Sequence, residues 1–285
     1  GVAKAGAMRG DGHLRLARWR ETGALLGICV AALLPSLLAP LGLPDFAVFA
    51  LVFALFCTLA VIAMAPEWGL GARVEGAGFA LVLGDRIARR LLLVALVNAA
   101  PVAVSSTLFL FFVESRLQAP GWEGPLLLLF FLAAAVAAPG WGLAAERFGA
   151  KRVLIAAMVL AIAAFGGALA LRAGDVWAFA AICLFSGAAV GADLTLLPAL
   201  FARRMGQIAP NGSEGFALWS FASKLTLAFA AIVLLPILEL QGFRSGEDNG
   251  AGALWTLSLL YAGVPCLLKL VAIGLLVATP IKGDS

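Results

Sequence analysis

The sequence predicts an all-α integral membrane protein of about eight transmembrane helices. Composition, the spacing of apolar stretches and the placement of basic residues carry that expectation. Of 285 residues, 63% are hydrophobic and 13% charged, whereas soluble domains run at roughly 45–50% and about 25%. A single soluble core cannot hide that much apolar surface, so lipid is the solvent for most of the chain. Helices are the expected element because a segment in hydrocarbon must satisfy its own backbone hydrogen bonds.

Apolar stretches long enough to span a bilayer run over 22–40, 46–65, 91–113, 124–144, 153–171, 176–201, 215–238 and 253–279. Several contain Pro or paired Gly, which membrane helices tolerate when neighbouring helices satisfy the freed backbone groups. The longest polar interruption is 66–90, with Glu67, Arg73, Glu75, Asp85, Arg86, Arg89 and Arg90. Its later part, Phe79 to Arg90, is expected to lie on the membrane face as an amphipathic helix. This divides the chain into 1–65 (a polar tail and two spans), a connector at 66–90 and a six-helix bundle at 91–285.

Basic residues set the orientation. The N-terminal tail, the connector, the 145–152 turn, the 202–214 loop and the C-terminus together hold fifteen Lys and Arg, against three (Arg116, Arg172, Arg244) in the opposite set. That asymmetry predicts both termini in the cytoplasm, and a bacterial inner (plasma) membrane is the expected location. The net charge of +4 is then accounted for by bases facing anionic lipid, and no nucleic-acid partner is expected. Cys29, Cys57, Cys183 and Cys266 stand singly in apolar spans and read as small core residues. His13 is the only histidine and lies in the polar tail, so no histidine-rich metal site is expected. The first twenty residues are polar and basic, unlike a secretory signal peptide.

Between two apolar stretches stands Gly142-Leu-Ala-Ala-Glu146-Arg147-Phe-Gly149-Ala-Lys151-Arg152. Gly142 and Gly149 permit close packing and a left-handed turn, and Glu146 and Arg147 can make charged hydrogen bonds to helix ends. The run resembles the signature loop of the major facilitator superfamily, with Glu146 where Asp is commoner and Ala150 where a base is often found. The resemblance implies a gating latch that joins helix ends and breaks as the transporter rocks. Members carry the loop between helices two and three and again between eight and nine. Here four spans precede it and four follow, so the chain is expected to correspond to helices five to twelve of a twelve-helix fold. The start at Gly1 rather than Met agrees with an N-terminally incomplete chain.

Charges inside spans are costly and mark functional candidates. Asp193 lies eight residues before Phe201 and Lys224 nine after Gly215, which places them ~12 and ~13 Å from the same side at 1.5 Å per residue. Matching depth on consecutive helices predicts an ion pair on the transport path. Gly191-Ala-Asp193-Leu-Thr195-Leu-Leu-Pro198-Ala199, Trp219-Ser-Phe221-Ala-Ser-Lys224 and Arg20-Glu21-Thr-Gly23-Ala-Leu-Leu-Gly27 resemble the helix-ten, helix-eleven and helix-five elements of the glycoside–pentoside–hexuronide:cation symporters, the melibiose-permease-like branch. One departure is that Ala202 is followed by Arg203 and Arg204, where the branch often has Ala-Asp after the Pro-Ala pair.

The resemblance implies a solute and cation pathway through Asp193, Thr195, Lys224, Trp219 and Asn98. Asn98, Ser105, Ser106 and Thr107 share a helix that lines the central cavity in that architecture, where they suit either hydroxyl-rich solutes or interhelical hydrogen bonds. Trp219 suits stacking on a sugar ring or anchoring at the interface. Lys269 falls in the last span, usually peripheral, and is expected to snorkel along a lipid-facing surface. Gly23-xxx-Gly27 and Gly187-xxx-Gly191 permit close helix crossings.

No nucleotide-binding loop, catalytic carboxylate pair or nucleophile constellation is present, so an enzyme is not expected. The expected activity is cation-coupled symport of a small solute, a sugar or glycoside, by alternating access, with no cofactor. The coupling ion is expected to be H⁺ or Na⁺; in the resembling branch acidic residues of the first four helices hold it, and those helices are expected to be missing here. The competing readings are export of a lipid-like or drug-like solute, and a non-transporting membrane assembly subunit with a protein partner that the sequence leaves unknown.

Overall fold

A computed structural model describes residues 23–31, 34, 45–66, 78–209 and 214–281. All regular structure among them is helical, and seven helices are long and apolar enough to cross a membrane. We number the elements α1 (Asp45–Met64), α2 (Phe79–Gly84), α3 (Arg86–Arg116), α4 (Glu123–Phe148), α5 (Ala150–Ala170), α6 (Val176–Ile208), α7 (Glu214–Leu240) and α8 (Ala251–Val277). Residues 23–31, within the first expected span, are helical too. Much of that span, Arg20, Glu21, His13, Glu67, Arg73, Glu75 and Lys282 lie outside the described residues.

Helices α3 to α8 pack into one bundle, with α6 against α3, α4 and α5, and α3 against α7 and α8. None of the 18-residue apolar window of α1 is buried, as suits a helix whose solvent is lipid or another helix. The segment from Phe79 to Arg90 is two elements rather than one amphipathic helix. Asp85 adopts an extended conformation (φ −76°, ψ 120°) and its carboxylate accepts from Ala88 N at 2.7 Å, which caps α3. An Asp at this position satisfies a donor that the new helix leaves open. Arg86, Arg89 and Arg90 therefore belong to the first turns of a spanning helix.

Glycine lets the backbones of α4 and α6 approach closely. A Cβ on Gly187 would lie within the Phe130 carbonyl oxygen, and one on Gly191 would lie 2.6 Å from that of Ala134. Trp141 Nε1 donates to Ala188 O at 2.7 Å across the same seam. The Gly187-xxx-Gly191 motif thus brings backbones together, whereas a Cβ on Gly23 or Gly27 would meet nothing within 4 Å among the described residues. At the other end of the bundle, the wide π-turns Phe112–Arg116 and Leu259–Gly263 face each other. They hold Phe112 and Tyr261 stacked, with centroids 4.2 Å apart and planes at 15°. Pro265, just past the second turn, cannot donate a backbone hydrogen bond, which favours a wider turn before it.

Candidate functional site: a buried charge triad and a basic latch

Three helices each bring one polar side chain to a common point inside the bundle. Lys269 of α8 donates to Asn98 Oδ1 of α3 at 2.6 Å and forms an ion pair with Asp193 Oδ2 of α6. All three are at least nine-tenths buried, at 4%, 4% and 6% exposure for Lys269, Asn98 and Asp193. Burying either charge alone costs several kcal/mol, on the order of 3–5 when one partner of such a pair is removed. The triad is neutral as a unit, and Asn98 meets a second ammonium proton with an acceptor. Asp193 Oδ1 is buried and has no hydrogen-bond partner among the described residues. Beside Lys269 lies a cavity of about 20 Å³, bordered also by Ser105, Ser186 and Cys266, which is room for about one water.

Two expectations are corrected here. Asp193 does not pair with Lys224, which is exposed. Matching depth fixes only the axial coordinate, and α7, although next in sequence, packs on α3 rather than beside Asp193. Lys269 does not snorkel along lipid; it is one of the most deeply buried polar residues. A signal for this was present. Asn98, Asp193 and Lys269 lie seven, eight and ten residues from the same-side span ends at 91, 201 and 279, all ~10–15 Å deep. Treating the last helix as peripheral obscured it.

The remaining candidates divide between local and interhelical roles. Thr195 is fully buried and its hydroxyl donates to Gly191 O at 2.7 Å, one turn back in its own helix. Ser105 and Thr107 likewise turn back on Val102 O and Ala103 O, and Ser106 is exposed. Trp219 is half-buried against Phe201, with centroids 5.1 Å apart, at the basic end of the bundle. Among the described cysteines Cys29 and Cys183 are buried, Cys266 is intermediate and Cys57 is exposed, so the expectation of core residues fails for Cys57.

The 142–152 loop closes the basic end. Gly149 serves as both C-cap of α4 and N-cap of α5 at φ 86°, ψ 136°, a conformation open to glycine and strained for other residues. The turn aims Lys151 at the end of α8, where its ammonium donates to Thr279 O at 2.8 Å and Val277 O at 3.1 Å. Arg90 donates to Ala278 O at 2.7 Å. Two cations thus hold the carbonyls that a helix C-terminus leaves open, where the helix dipole also favours positive charge. Gly142 is buried in the α4 face, while Glu146, Arg147 and Arg152 are exposed. A second clasp joins α2–α3 to α6: Arg204 Nε donates to Asp85 Oδ1 at 2.9 Å, and Arg204 Nη2 pairs with Asp85 Oδ2. The guanidinium holds the Asp85 carboxyl below its ordinary range. Arg204 was missed as a site residue because it appeared only as a departure from a motif.

Apolar spans, a buried neutral triad and a charged turn at one end define a polytopic helical membrane protein built to hold polar groups inside lipid. A family model described as "MFS/sugar transport protein" matches residues 4–283, and the chain belongs to this family of major facilitator transporters. No individually curated protein matches it significantly.

Proposed function

We propose that this chain works in a secondary active transporter that moves a sugar or glycoside by cation-coupled symport with alternating access. The observation that carries the reading is the family match over nearly the whole chain. The geometry supplies the parts such a cycle needs. The bundle α3–α8 is held internally by the triad, so it can rock as one body. Its basic end carries side-chain clasps, Lys151 on α8 and Arg204 on Asp85, that can exchange partners without unfolding a helix. The basic end faces the cytoplasm, as the bias in Lys and Arg predicts.

The test is uptake by the native polypeptide reconstituted in liposomes, using radiolabelled α- and β-galactosides under an imposed H⁺ or Na⁺ gradient. Accumulation that collapses when the gradient is dissipated supports symport. Accumulation independent of both gradients rejects coupling, and no uptake of any glycoside rejects the substrate class.

A further inference from the structure

A groove of about 660 Å³ runs along the outside of the bundle between α3 and α7, with a strongly uneven lining. Arg86, Arg89 and Arg90 surround its mouth at the basic end. Its walls beyond that point are aliphatic and aromatic, with Leu93, Phe221 and Leu225 exposed. Arg86 has no hydrogen bond or ion pair among the described residues, and Arg89 reaches only Leu83 O at 3.4 Å. Arg90 uses one nitrogen for Ala278 O at 2.7 Å and keeps further N–H donors. The nearest carboxylate in sequence, Asp85, is taken by Arg204 and leaves this charge uncompensated.

We infer that the groove holds an anionic phospholipid, with its phosphate among the three guanidinium groups and an acyl chain along the α3–α7 wall. The length agrees. From Arg86 to Leu96 on α3 is ten residues, or ~15 Å at 1.5 Å per residue, which is half of a ~30 Å hydrocarbon core. The groove therefore spans one leaflet, starting where head groups lie. Guanidinium groups bind phosphate through paired N–H donors, and a choline head group would bring a fourth cation to a groove with no carboxylate in its lining. A sugar would find no hydrogen-bonding partner on the leucine wall. A second copy of the chain would set three arginines against three more, and like charges at short range repel.

The test reads binding, not transport, so its failure and that of the transport reading are distinguishable. The native full-length polypeptide, stripped of lipid in mild detergent, is titrated with dioleoylphosphatidylglycerol or dioleoylphosphatidylcholine and followed by native mass spectrometry. We expect one tightly held phosphatidylglycerol, weak phosphatidylcholine binding, and roughly 30-fold weaker phosphatidylglycerol binding in the R86Q/R89Q variant. Both arginines are exposed, so the variant keeps the fold, which an unchanged melting temperature verifies. Equal retention of the two lipids, an unaffected variant, displacement by millimolar inorganic phosphate, or a doubled mass blocking lipid uptake would each overturn the proposal.

Discussion

Lys269 on α8 and Asp193 on α6 form an ion pair inside the bundle across 76 positions of sequence, and the same ammonium reaches Asn98 on α3. One side chain thereby ties the first, fourth and sixth helices of the bundle. In a lipid environment helices gain little from apolar contact with one another, because lipid tails are as apolar as leucine. Buried polar groups then specify which faces meet, since any other arrangement leaves a charge uncompensated.

K269M or D193L alone should destabilise the protein by about 3–5 kcal/mol, because each leaves the partner charge or its hydrogen bonds unmet. The K269M/D193L double variant should lose less than either single one. Thermal unfolding in detergent, treated as a double-mutant cycle, reads this. Additive losses would show that the pair is not coupled.

The α4–α6 seam should reject a single methyl group. G187A and G191A each drive a Cβ into a carbonyl oxygen of α4, at a cost of about 1–3 kcal/mol for overpacking. G140A, where a Cβ meets nothing within 4 Å, should be neutral or stabilise by up to about 1 kcal/mol through lower chain entropy. Comparing the three melting temperatures separates close packing from general loss of glycine.

Removing the latch cation should loosen the end of α8 locally. K151M frees the Val277 and Thr279 carbonyls, a loss of about 1 kcal/mol for partly exposed charged hydrogen bonds. Amide exchange at Ala278 and Thr279, whose N–H groups close the last turn, should accelerate roughly fivefold, with the far end of the bundle unchanged. Equal exchange in both proteins would show that Lys151 adds nothing to this terminus.

The Asp85–Arg204 clasp should weaken in acid. Arg204, the largest cause, lowers the Asp85 pKa in the folded protein, while the unfolded value stays at ~3.9. Its stabilisation is fully present above the unfolded pKa and is lost as pH falls through the folded one. D85N retains a side chain able to cap α3 but removes the charge. Wild type should therefore exceed D85N in stability near neutrality, with the gap closing below about pH 4. A gap constant down to pH 2 would assign the difference to something other than the ion pair.

K224A should reduce gradient-driven glycoside uptake while leaving membrane insertion and melting temperature unchanged, because Lys224 is exposed and outside the triad. Uptake equal to wild type would remove Lys224 from the pathway.

Much of this protein is legible without coordinates because one-dimensional chemistry carries it. Stretches of ~20 apolar residues read as spanning helices, whereas the Gly142–Arg152 run, expected as a charged turn, is helical on both sides of a break at Gly149 alone. Gly187 and Gly191 announced a close crossing but not its partner, Phe130 and Ala134 on α4. The amphipathic helix expected through Arg90 failed at Asp85 because an apolar–polar pattern does not reveal where a cap stops one helix and starts the next. Sequence alone therefore determined the membrane class, seven spans among the described residues, and how far along its helix each buried charge lies. Only the tertiary structure decided which charges meet. Depth along a helix is set by a rise of about 1.5 Å per residue, but direction around it depends on which neighbours pack, and that placed Asp193 against Lys269 rather than Lys224.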